Sequence, residues 1–237
     1  CMIRRLNIIL GAACNRHCPY CCQASPADRD DSCGKSDWSR LRSKLLKLNE
    51  SGELRKLERI AFWGGEPMLY WPTIQALYRM LCNDGIYPHS AYRVATNGDL
   101  INDDYVRFAN SIPEWLTTVS WHDGSIAPRQ WEVLKKLRSC IVTGLVTSSW
   151  RRDLPAMRKK YLSLGLQMPV QLWPVHFAGQ CAGFEKLTND DVDESIGFLQ
   201  SLVESPQDGF SQALRISIMQ HCSRKGRVSP DCGDESV

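Results

Sequence analysis

The chain has 237 residues, 43% of them hydrophobic, with a formal net charge of +3 and eleven cysteines. This length suits one large α/β domain or two small ones, and the apolar fraction is enough for a sizeable core. The near-balanced charge excludes a broad nucleic-acid or membrane-binding field, no apolar run approaches the ~20 residues of a spanning helix, and no secretory signal is visible, so a cytoplasmic location is expected.

Taken in chain order, strand-like and helix-like segments alternate. Arg5–Leu10, Arg59–Trp63, Tyr92–Ala95, Thr117–Trp121, Ile141–Thr147 and Val170–Val175 are short, apolar and rich in β-branched or aromatic residues, as buried parallel strands are. Trp38–Leu48 carries Leu41, Leu45 and Leu48 on one helical face. Pro72 opens the next helix as a first-turn proline and Gly85 closes it. Asn102 caps a third, with Asp103 and Asp104 favourable in its first turn. Pro128 starts a helix running to about Arg138, Asp153 caps one ending at Gly165, and Thr188 with Asp191 forms a capping box for a last helix to about Val203. Arg151, Arg152, Arg158, Lys159 and Lys160 read as a solvated helix face. Six strand–helix units in series predict a parallel sheet with right-handed crossovers, two units short of a closed eightfold barrel. The expected division is one domain over 1–205 and a tail, lid or poorly ordered end over 206–237.

Ligands of parallel α/β folds sit at the C-terminal ends of the strands. That edge collects Cys14, Cys18 and Cys21 after the first strand, Gly64-Gly65-Glu66-Pro67 after the second, and Thr96-Asn97-Gly98 after the third. Ser120, Trp121, His122 and Asp123 follow the fourth, Thr147 and Ser148 the fifth, and Trp173 and His176 flank the sixth. Three cysteines in C-x3-C-x2-C spacing on one loop can hold three irons of a four-iron cluster and leave the fourth open. Zinc would want a fourth ligand, and no second C-x2-C pair exists. Paired glycines admit close backbone approach, and the adjoining Glu66 can accept from an ammonium group or serve a helix start. Asn97-Gly98 is also a common turn pair. A disulfide framework suits small secreted domains rather than this chain, so reduced thiols and a metal centre are the better reading. Cys82 and Cys140 are expected to pack as small hydrophobes, with Cys22 and Cys33 as bystanders. Met2 reads as a start residue, leaving the origin of Cys1 open.

The cysteine loop, with Tyr20 before its third cysteine, the Gly64–Pro67 motif and Thr96-Asn97-Gly98 together resemble the radical S-adenosylmethionine (SAM) enzymes. The resemblance implies a partial (β/α)6 TIM-like barrel, an α/β fold with a parallel sheet and outer helices. It implies a [4Fe-4S] cluster on Cys14, Cys18 and Cys21, and SAM held through its amino and carboxylate groups on the open iron. The Gly64, Gly65, Glu66, Pro67 segment would contact the SAM amino group, and Tyr20 would pack near the adenine. Thr96 and Asn97, or Ser120 and His122, would meet the ribose and carboxylate. Reductive cleavage of SAM would give a 5′-deoxyadenosyl radical that abstracts hydrogen from a substrate, with an electron from a reductant such as flavodoxin or ferredoxin. The favoured substrate is a peptide or protein side chain. Activation of a glycyl-radical enzyme, chemistry on a small molecule or nucleoside, and an iron–sulfur electron carrier or sensor are the alternatives. Two departures from the family pattern stand out. Thr143-Gly144-Leu145-Val146-Thr147 keeps the glycine of the fifth strand without its usual carboxylate, and only Cys181, Cys222 and Cys232 lie where peptide-modifying members often hold auxiliary clusters.

Overall fold

The computed structural model describes residues 2–18, 21, 38–121, 126–146, 150–174, 189–204 and 208–214. Six strands, β1 (Arg5–Ile9), β2 (Arg59–Trp63), β3 (Ala91–Thr96), β4 (Trp115–Ser120), β5 (Cys140–Val146) and β6 (Val170–Pro174), form one sheet in sequential order. All five pairings are parallel. Between them run α1 (Trp38–Glu50), α2 (Trp71–Asn83), α3 (Asp103–Ser111), α4 (Pro128–Leu134) and α5 (Trp150–Ser163), with α6 (Asn189–Glu204) after β6. With β1 and β6 at its two edges, the sheet is the unclosed barrel the alternation predicts.

Strand periodicity divides the side chains between two environments. Ile8, Ile60, Phe62, Tyr92, Val94, Trp115, Val119 and Val142 are buried on the helix side. Trp115 is the hub there, stacked on Phe62 and Tyr92 and edge-on to Tyr78 of α2 and Phe108 of α3. Such contacts add about 0.5–1.5 kcal/mol per pair beyond area burial. The concave face is different. Arg5, Asn7, Arg59 and Arg93 lie on it, none of them fully buried. The expectation of strands apolar on both faces therefore holds only toward the helices.

Local signals set most boundaries. Asn102 is extended and its Oδ1 accepts from the Tyr105 N–H (2.9 Å), as a cap should. Gly85 and Gly165 close α2 and α5 at φ 67° and 61°. Two ends differ from expectation. The helix from Pro128 stops at Leu134, because the chain must return to β5 by Cys140. Helix α5 begins at Trp150, so Asp153 sits inside its first turn, where it favours the dipole, instead of capping it. Thr188 of the expected capping box lies outside the described residues. Beyond residue 205, Phe210, Ala213 and Leu214 are buried in the common core and Arg158 donates to Asp208 (2.6 Å), so 208–214 packs on the sheet domain. Among the described residues no helix is long and apolar enough to cross a membrane.

Candidate functional site

Because every strand runs the same way, the segments after β1, β2 and β3 emerge side by side at one edge. A backbone zipper joins the first two. The Leu10 N–H donates to the Trp63 carbonyl (2.8 Å), the Gly65 N–H to Gly11 (2.9 Å) and the Glu66 N–H to Ala13 (2.8 Å). This is what the paired glycines permit. Gly64 has φ 151°, and a Cβ on it would overlap the Gly11 carbonyl oxygen; a Cβ on Gly65 would overlap the carbonyl oxygens of Ala12 and Ala13. The close approach is thus between two loops of the protein itself, which fixes the cysteine loop against the Gly64–Pro67 segment.

Glu66 joins that segment to β3. It is 1% exposed. Its Oε1 accepts from Thr96 Oγ1 (2.6 Å) and the Met68 N–H (3.0 Å), and its Oε2 from the Asn97 N–H (2.8 Å). Burial pushes its pKa up, while the three hydrogen bonds pull against that shift. The carboxylate therefore organises Thr96 and Asn97, and it also caps the 3-10 turn Pro67–Tyr70. Gly98, at φ 84°, lets the Thr96-Asn97-Gly98 turn fold back on itself: its N–H donates to Thr96 Oγ1 (3.0 Å), and the Asp99 N–H to Asn97 Oδ1 (3.0 Å).

The third link runs from the cysteine loop to β3. Arg16 grips Asp99 in a two-pronged ion pair, Nε to Oδ2 at 2.6 Å and Nη2 to Oδ1 at 2.5 Å, with only 13% of the arginine side chain exposed. Asn97 Nδ2 donates to Asn15 Oδ1 (2.7 Å). Bidentate pairing of this kind fixes orientation as well as charge. Sequence reasoning missed Asn15, Arg16 and Asp99; their only signal is a position between two candidate ligands and one beside the Asn97-Gly98 turn.

Cys14, Cys18 and Cys21 are each partly buried on this braced loop. The Arg16 N–H points at Cys14 Sγ (3.4 Å) and the Cys21 N–H donates to the Cys18 carbonyl (3.0 Å). Soft thiolates with an N–H···S contact are a donor set that fits an iron–sulfur cluster. Among the described residues no three His, Cys, Asp or Glu side chains gather round a single ion. A cluster does not need that, because each thiolate takes a different iron.

Ser120 stands at the end of β4, half-buried, in register with Thr143. Trp121 is 1% exposed and edge-on to Trp131 (5.0 Å), so it belongs to the core. Cys140 is buried in the core as a small hydrophobe, and Cys82, partly buried on α2, sits against the hydroxyl ends of Tyr78 and Tyr92. Tyr20, His122, Asp123, Thr147, Ser148, His176, Cys1, Cys22, Cys33, Cys181, Cys222 and Cys232 lie outside the described residues, as does the side chain of Trp173.

The family model of the Radical SAM superfamily matches residues 8–144, more than half of the chain. The chain belongs to the radical SAM superfamily. It is an enzyme of the radical SAM class, and the family implies SAM and an iron–sulfur cluster as its cofactors. Streptococcus suis SuiB bound to precursor peptide SuiA is similar to it with a TM-score of 0.65 at 14% identity, over 86% of this chain and 46% of that one. Histidine-tagged anSMEcpe with bound AdoMet gives 0.63 at 19% identity, over 86% of this chain and 57% of that one. At these identities the likeness is one of fold, and this radical SAM chain spans about half the length of the structures it matches. No curated protein matches it.

Proposed function

We propose that Cys14, Cys18 and Cys21 hold a [4Fe-4S] cluster, that SAM is held beside it by the strand-end loops, and that the enzyme takes a hydrogen from a peptide or protein side chain. The observation that carries this reading is the three-way bracing of the cysteine loop, the Gly64–Pro67 segment and the Thr96–Asp99 turn, all at one edge of the sheet. When bound and reduced, the cluster and SAM supply a strongly oxidising carbon radical from the SAM sulfonium; the protein supplies position and shielding.

The chain's own residues divide that work. Arg16 and Asp99 hold the cysteine loop at a set distance from β3. Glu66 spends its carboxylate on Thr96 and Asn97, which leaves the backbone of Gly64–Pro67 as the partner for the SAM ammonium group. Asn97, or Ser120 with His122, meets the ribose and carboxylate of SAM, and Tyr20 the adenine, while Thr96, buried with its hydroxyl between Glu66 and the Gly98 N–H, serves to position them. A peptide substrate is supported by the fold shared with SuiB, whose structure holds a precursor peptide, and with anSMEcpe, whose structure holds AdoMet and the Kp18Cys peptide. The electron would come from a flavodoxin- or ferredoxin-like reductant. The catalytic domain would run past 205 to at least 214, since Phe210, Ala213 and Leu214 are buried in its core.

The substrate class is tested with isotope. The reconstituted, reduced enzyme is given SAM and either a tryptic digest of perdeuterated cell protein or a perdeuterated nucleoside mixture. Deuterium in 5′-deoxyadenosine from the peptide pool is expected. Deuterium from the nucleosides alone would contradict the peptide reading.

A further inference from the structure

The concave face of the sheet carries arginines that form no ion pair among the described residues. Arg5 and Arg59 are register partners on β1 and β2, and Arg93 lies one inward-facing position higher on β3, in register with Ala61. Their like charges lower one another's proton affinity: the Arg59 pKa is lowered by burial and then by Arg5, and that of Arg93 is pulled down to about 10 by burial and then by Arg59. Among the described residues no carboxylate pairs with any of the three. Arg93 Nε donates to Thr118 Oγ1 (2.9 Å), which uses one of its five donors. Arg59 Nε is buried with no hydrogen-bond partner. Half-buried guanidinium groups that repel each other and keep donors unspent are costly for the empty fold. An incoming anion with two acceptor oxygens removes that cost.

We propose that Arg59 and Arg93 form a carboxylate-binding subsite for the substrate peptide, which deepens the reading above and rests on it. The subsite is separate from the SAM position. Arg93, level with Ala61, lies two residues below the end of β2, which at ~3.3 Å per residue puts it ~7 Å below the edge where the cysteine and Gly64–Pro67 loops emerge. The SAM carboxylate, tied to the cluster at that edge, would stay above it. An extended peptide covers the same distance in about two residues. The acid that docks on Arg59 and Arg93 therefore lies about two residues from the side chain that loses hydrogen. A peptide's own C-terminal carboxylate offers the same chemistry.

The test uses the full, reconstituted, SAM-loaded chain and three heptapeptides: an acetylated and amidated peptide with one glutamate, its glutamine counterpart, and the glutamine peptide with a free C-terminus. Calorimetry is expected to show the glutamate peptide, or the free-carboxylate peptide if the terminus is the source, binding about tenfold or more tighter than the neutral one. Arg59→Gln and Arg93→Gln should each erase that preference, leave SAM affinity unchanged, and leave the melting temperature of the empty protein no lower, since each removes a repulsion. Equal affinities, no binding of any peptide at millimolar concentration, or variants that keep the preference would overturn the proposal. So would loss of SAM affinity in the variants, which would assign the arginines to the cofactor. Failure of the wild-type chain to bind SAM would instead count against the function proposed above.

Discussion

Glu66 shows how a residue can matter at a candidate site by organising its neighbours. Its carboxylate is surrounded by three donors, two of them from β3 and the turn after it, so truncation leaves several buried groups unsatisfied at once. Glu66→Gln keeps one acceptor oxygen but sets an NH2 group against the Asn97 N–H, which is expected to cost about 1–3 kcal/mol in chemical denaturation and to weaken SAM binding, with iron content retained. The pH dependence follows from the raised pKa. The folded state binds this proton more tightly than the unfolded state, so the stability Glu66 contributes is fully present below its unfolded pKa and is lost as pH rises through the raised folded value. Unfolding free energy measured against pH should show wild type gaining on the Gln variant as pH falls through that window; parallel curves would contradict the shift. Arg16 makes a different prediction. Removing it leaves Asp99 without its two-pronged partner, so Arg16→Ala should lose about 1–3 kcal/mol of stability and shed iron faster under a chelator. An unchanged rate of iron loss would mean that the clamp does not brace the cluster loop.

Among elements, the contact between the β1 and β2 loops is the one with least room. Gly65→Ala drives a methyl group into two backbone oxygens that no rotamer change can move, so the loops must part. The expected result is a folded protein, still held by the Trp115 aromatic cluster, that takes up little iron during reconstitution. Full iron incorporation would show that the zipper tolerates the methyl group. The Asn102 cap provides the contrast. Asn102→Ala should lower stability by about 1 kcal/mol and leave SAM cleavage unaltered, because α3 packs on the helix side of the sheet, away from the cysteine loop. The strands and most helix ends could be read from the sequence because their causes are local: apolar runs, first-turn prolines, a capping Asn, closing glycines. The end of α4 could not, because it is set by where β5 must pair.

For the whole molecule, the same division separates what the sequence revealed of the site from what it hid. The cysteine spacing and the order of the three motifs point to a candidate site at the strand ends. The links among those motifs do not show, since Arg16 and Asp99 are 83 residues apart and Glu66 and Asn97 are 31 apart, and only the parallel order of β1, β2 and β3 brings them together. The concave arginines are present in the alternation of β2 and β3, but short apolar runs read as strands buried on both sides and hide them. Their meaning emerges only once the register shows that they share the face of the sheet opposite the helices. Iron–sulfur chemistry at Cys14, Cys18 and Cys21 remains the centre of the account, and one measurement reaches it directly. The chain is reconstituted anaerobically with iron and sulfide, reduced and given SAM, and 5′-deoxyadenosine is quantified beside the variant in which all three cysteines are alanine. The account predicts 5′-deoxyadenosine and a four-iron absorbance in the wild type and neither in the variant; cleavage that survives the loss of the three thiols would contradict it.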